Sequence, residues 1–127
     1  VSMYLSIYVS MYICIYLSIY LSIYGKLTEL LDLLNDKNIH ICAIQESKLT
    51  SKSKAMKTPH YTMVRKDRGK NKGGGLVFLV HESIPFQLIP TPANLQNDQH
   101  TEELSISLPG KTNNFNIKNI YSCKNFK

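Results

Sequence analysis

The feature that most limits the folds open to this chain is a helical pattern that runs straight into a short apolar run. From Lys26 to Asn38 the residues Leu27, Leu30, Leu31 and Leu34 recur at helical spacing, with Leu33 flanking, while Glu29 and Asp32 fall on the polar side. Asn35-Asp36-Lys37-Asn38 supplies the stop. Ile39–Gln45 follows at once, and its length and branched side chains predict a buried strand ending just before Glu46. A helix followed directly by an apolar strand is half of a βαβ unit, so the expected class is α/β. The other half would be a strand before residue 25.

That place is taken by a repeat. Residues 1–24 read VSMY LSIY VSMY ICIY LSIY LSIY, a strict period of four. A repeated TATC returns to frame after four codons and encodes Tyr-Leu-Ser-Ile, and every departure (Val1 and Val9, Met3 and Met11, Ile13, Cys14) is one base away. The segment reads as translated microsatellite DNA, a low-complexity tail that is poorly ordered or packed opportunistically. Twenty-four residues without a charge are long enough to span a bilayer, which keeps a membrane anchor open as an alternative. Against it, Ser and Tyr fill almost every even position and no basic cluster precedes the run. A signal peptide is disfavoured by the lack of a basic start and of a small-residue cleavage site. As a strand the segment has perfect alternation, and with no charge and no proline it is an aggregation hazard when unpaired.

All of the net charge of +6 sits outside residues 1–24, and the pI near 9.2 favours an anionic partner, nucleic acid first among them. Cys14, Cys42 and Cys123 are odd in number and widely spaced, which suits free thiols in a reducing compartment. Beyond Glu46 comes a polar loop, Thr50–Pro59, then a strand at Tyr61–Arg65 and a basic turn, Lys66–Gly75. A second apolar strand follows at Leu76–Val80, and a short one at Ile84–Ile89 is confined to a sheet edge by Pro85, Pro90 and Pro92. Leu104–Leu108 and Phe115–Tyr121 alternate cleanly about a turn at Pro109-Gly110, which predicts an antiparallel hairpin.

Several groups could carry chemistry, and each has a plainer reading. Glu46 at a strand end could offer a hard oxygen to Mg²⁺, or be an ordinary solvated acid. Gly73-Gly74-Gly75 is followed by a strand where a phosphate loop needs a helix, so the glycines serve a turn and close backbone packing. Arg65, Lys66, Arg68, Lys70 and Lys72 could meet DNA phosphates or form a solvated loop. His40, His60, His81 and His100 share no metal spacing and receive no role.

Taken in order, these segments resemble the endonuclease/exonuclease/phosphatase family, and in particular the apurinic-type endonuclease domain of non-LTR retrotransposons. The family motif IQE(T/S)KL falls on Ile44–Leu49, the RKDR and glycine-plus-strand segment on Arg65–Val80, and the strand ending in Asn-x-Tyr on Asn119-Ile120-Tyr121. The resemblance covers roughly residues 26–121 and implies Mg²⁺-dependent hydrolysis of a DNA phosphodiester. It makes Glu46 the metal ligand and Tyr121 the residue that positions the scissile phosphate, and it gives neither Glu102 nor Glu103 a catalytic role. It implies half of a four-layer α/β sandwich, a mixed and largely antiparallel sheet with a covering helix, over residues 25–121, with a divergent end at 122–127. A nuclear location follows if the parent function is retained.

The departures from the family decide activity. The Asn of the family's first strand would fall near Ile19 to Leu21, inside the repeat, where no Asn stands. The downstream Asp-x-Asn and the final Ser-Asp-His are absent from these residues. The expectation is therefore a truncated, inactive endonuclease-like fragment, with a basic nucleic-acid-binding remnant as a further alternative. The expected core is Leu27, Leu30, Leu31, Leu34, Ile39, Ile41, Ala43, Ile44, Leu76, Phe78, Val80, Ile106, Leu108, Ile117 and Ile120.

Overall fold

A computed structural model of the chain describes residues 13–17, 26–45, 47–49, 57–67, 74–91 and 101–122. The helix forms where the leucine spacing places it, at Leu27–Asp36 (α1), and buries Leu27, Leu30, Leu31 and Leu34 while Leu33 stays half exposed. It ends as its asparagines suggest: Asn38 takes a left-handed φ of 54°, and the Ile39 N–H turns back to the Leu34 carbonyl at 2.9 Å.

The strands form two sheets. The first holds β1 (Ile13–Leu17), β2 (Ile41–Gln45), β3 (Tyr61–Lys66) and β4 (Leu76–His81) in the order β1-β2-β4-β3. The β1–β2 pair is parallel, whereas β2–β4 and β3–β4 are antiparallel. Part of the repeat thus stands where the βαβ pattern asks for a strand, and β1, α1 and β2 complete that unit. The second sheet is antiparallel, with β5 (Gln87–Ile89), β6 (Thr101–Leu108) and β7 (Phe115–Ser122) in that order. The β6–β7 hairpin and the edge position of the proline-flanked β5 match the sequence pattern.

Alternation along β2 and β4 builds the layers. Cys42, Ile44, Val77 and Leu79 face one way and pack with the α1 leucines, Leu49 and Tyr61. Ile41, Ala43, Leu76, Phe78 and Val80 face the other way and pack on Leu104, Ile106 and Leu108 of the second sheet. A strand covered on both faces must read as a continuous apolar run, which is why β4 is LVFLV without a polar break. The described chain is therefore a mixed α/β protein, layered helix, sheet, sheet. No helix among the described residues is long and apolar enough to cross a membrane.

Two expectations about the core need correction. Ile120 is 48% exposed. Strand parity is the reason: Ile117 and Asn119 share the inner face of β7, so Ile120 must point outward. Ile39 and Ile117 are only partly buried, packed at the margins of the two clusters, and the described strand begins at Ile41, two residues later than the apolar run.

Candidate active site

The C-terminal end of β2 is where the two sheets are tied together by polar groups. Glu46 itself lies outside the described residues, but both of its neighbours are placed. Gln45 Nε2 donates to the Ile120 carbonyl at 2.7 Å. Ser47 is fully buried, and its N–H donates to the Gly75 carbonyl at 3.2 Å, followed by Lys48 N–H to the Gly74 carbonyl at 2.8 Å. The chain after β2 thus runs on against the segment that enters β4.

This approach requires the glycines. Gly74 and Gly75 have φ of 67° and 91°, a region that side chains with a Cβ rarely adopt. At Gly75 an added Cβ would also lie 2.5 Å from Ser47 Oγ. The Gly75 N–H is held by Glu102 Oε2 at 2.8 Å. Close backbone packing, the reading preferred for the glycines, is what Gly74 and Gly75 show; Gly73 lies outside the described residues.

Asn119 completes the junction; its sequence motif marked it, but no role was expected of it. It is 2% exposed, and its Nδ2 donates to both the Ile44 carbonyl (3.0 Å) and the Val77 carbonyl (3.2 Å), so one side chain on β7 holds β2 and β4 together. Its Oδ1 is buried and accepts no hydrogen bond from the described residues. The signal that could have found it was the parity of β7: an Asn on the same face as Ile117 in a strand over a core is a buried polar group and needs partners. Tyr121, two residues on, shares that face, is half-buried against the core between the sheets, and is the register partner of Glu102.

The structure thus gathers the flanks of Glu46, the glycine turn and Asn119–Tyr121 at one end of the molecule. It does not bring the basic run to the same use. Arg65 is bound by Asp67 through Nε (3.1 Å) and Nη2 (2.6 Å), and Lys66 Nζ donates to the Glu103 carbonyl at 3.3 Å. Both described cations thus engage the protein itself, while Arg68, Lys70 and Lys72 lie outside the described residues. Glu103 is 5% exposed, 3.5 Å from Lys118 Nζ, and accepts from Ser105 Oγ.

At the opposite end of β2 lies a second cluster. His81 meets the rings of His40 and Tyr61 edge-on at 5.7 and 5.3 Å. Tyr61 Oη donates to the Ile39 carbonyl at 2.6 Å, and His81 N–H to the His40 carbonyl at 2.7 Å. The Ser83 N–H donates to His81 Nδ1 at 3.1 Å. Burial and, next, the neighbouring His81 lower the pKa of His40 below its ordinary 6.5. Burial and then Cys42 raise that of Tyr61 above its ordinary 10.0. Cys42 is fully buried in the first core cluster.

Among the described residues no group of three or more His, Cys, Asp or Glu side chains could hold a metal ion. No protein-family model matches the chain, and neither does any curated protein.

Proposed function

We propose that residues 25–121 are the first part of an endonuclease/exonuclease/phosphatase-type domain, related to the endonuclease of a non-LTR retrotransposon. On this reading, these 127 residues by themselves do not cleave DNA. The observation that carries it is the meeting of three separated segments at one end of the fold. The Gln45–Ile120 and Asn119–Ile44/Val77 hydrogen bonds join the stretches on which the resemblance rests. Helix, sheet and sheet would be three layers of a four-layer sandwich, the fourth lying on the outer face of the second sheet.

In this reading Glu46 is the ligand for Mg²⁺, Tyr121 holds the scissile phosphate, and DNA is the partner. Bound Mg²⁺ would supply charge stabilisation at the phosphate oxygens. Among the described residues no histidine is placed at this end to act as a base. A general base must come within hydrogen-bond reach of the attacking water. His40 and His81 lie at the far end of β2, and five strand residues at ~3.3 Å each separate the two ends by roughly 16 Å. His60 shares the distant end through its 3.2 Å contact with Glu82.

A plasmid-nicking assay in Mg²⁺ tests the reading. The expected outcome is no conversion of supercoiled to relaxed plasmid. Nicking that disappears in Glu46→Ala would show that the chain is an active nuclease and overturn the inactivity; nicking unaffected by Glu46→Ala would remove Glu46 from the site.

A further inference from the structure

β1 is drawn from a sequence that offers the same strand several times over. Its register on β2 is Ile13↔Ile41, Cys14↔Cys42, Ile15↔Ala43, Tyr16↔Ile44 and Leu17↔Gln45. Sliding the repeat by four residues in either direction puts VSMYI or LSIYL in the same place, and sliding further offers LSIYV and VSMYL. In each case the first, third and fifth partners are aliphatic, the second is Ser or Cys, and the fourth is Tyr. Register is fixed by a hydrophobic pattern only when a shift changes that pattern, and here it does not. Length does not fix it either: eight residues, 18–25, separate β1 from the start of α1 at Lys26–Leu27.

We propose that the β2 edge is a strand-exchange site, and that its second occupant is the repeat of another copy of this chain. A donated tetrad makes the same backbone pairs as the chain's own, so exchange costs no ladder hydrogen bonds, the condition under which domain swapping is cheap. The linker can reach. Eight extended residues span up to about 26–29 Å, whereas a four-stranded sheet is about 14 Å across at ~4.8 Å per strand. Nothing repels two such strands, since residues 1–24 carry no charged side chain. Because the seats are equivalent, copies link in several registers, and a chain that has given its strand to one neighbour can take one from another.

The register itself supplies the test, through the Cys14–Cys42 partnership. Two full-length chains are mixed, one Cys42→Ser and the other Cys14→Ser, both with Cys123→Ser, and treated with a short thiol–thiol cross-linker. The expected result is a Cys14–Cys42 link between chains that grows with concentration and is competed away by unlabelled wild-type chain. A link that forms within a chain retaining both cysteines but never between the two variants overturns the proposal. A second variant tests equivalence: removing residues 13–16 deletes the strand seen here yet leaves other tetrads to fill the seat. It should preserve the protection of the Ile41–Gln45 amides from hydrogen exchange, and the sedimentation behaviour of the chain. Loss of that protection would show that one register is required and would equally overturn the inference.

Discussion

The two ends of β2 are built from the same amount of strand but are secured in different ways. At the His40 end the polar and ring contacts are local to the first sheet and its flanking turn: rings of His40, Tyr61 and His81 edge to face, and hydrogen bonds to neighbouring backbone. At the Gln45 end the contacts run between sheets, from Asn119 to Ile44 and Val77, from Gln45 to Ile120, and from Gly75 to Glu102. The first arrangement holds a corner together, and the second sets where one sheet lies on the other. Losses at the Gln45 end should therefore spread through the whole described fold, and losses at the His40 end should stay small and depend on pH.

Four measurements would break or sharpen that contrast. The largest loss is expected from Asn119→Ala, which leaves the Ile44 and Val77 carbonyls without their cross-sheet donor. Burial of unsatisfied groups sets the cost at about 2–4 kcal/mol in urea unfolding, and a loss below about 1 kcal/mol would show that the sheets do not depend on this clamp. Gly75→Ala comes next, at about 1–3 kcal/mol, from strain at its positive φ and the collision with Ser47 Oγ. If the collision matters, Ser47→Gly in the same chain restores part of the loss, and strictly additive effects would leave backbone strain as the whole cause. Tyr61→Phe removes one hydrogen bond at the other end and should cost about 0.5–1.5 kcal/mol.

The smallest effect is the pH response, and its sign follows from the His40 environment. Its folded pKa lies below the ordinary 6.5, so the unfolded chain binds the proton first and stability falls as pH drops below about 6.5. Denaturation midpoints between pH 7 and 5 check this, and His40→Gln should flatten the profile. Tyr61 works in the opposite range: its folded pKa is raised, so stability falls as pH climbs past 10.

Much of the described fold was legible because it rests on period. The leucines of α1, the unbroken β4 and the alternating β6 and β7 each carry a local pattern that no distant contact overrides. Polar groups with distant partners left little local signal. Nothing near Asn119 in sequence reveals that Ile44 and Val77 are 75 and 42 residues away, and the apolar Ile120 beside it was the more attractive core residue. At Gly75 the turn and close packing were legible, but not the approach to Ser47, which is distant in sequence. Of the expected site, Tyr121 is placed beside this junction, Glu46 is known only through its neighbours, and Arg65 and Lys66 turn out to be bound by Asp67 and by the Glu103 backbone.

If residues 1–24 are the translated four-base tract that their period suggests, the seat of β1 also has a hereditary consequence. Tandem four-base tracts gain and lose units when polymerase slips. A change of three units removes or adds one Tyr-Leu-Ser-Ile block, and the first sheet can take the next block in its place. A change of one or two units shifts the frame ahead of α1 and erases every residue from Gly25 onward. On that reading the edge of this sheet would be supplied by DNA whose length could drift in steps of twelve bases without altering the strand, while any other step would abolish the protein.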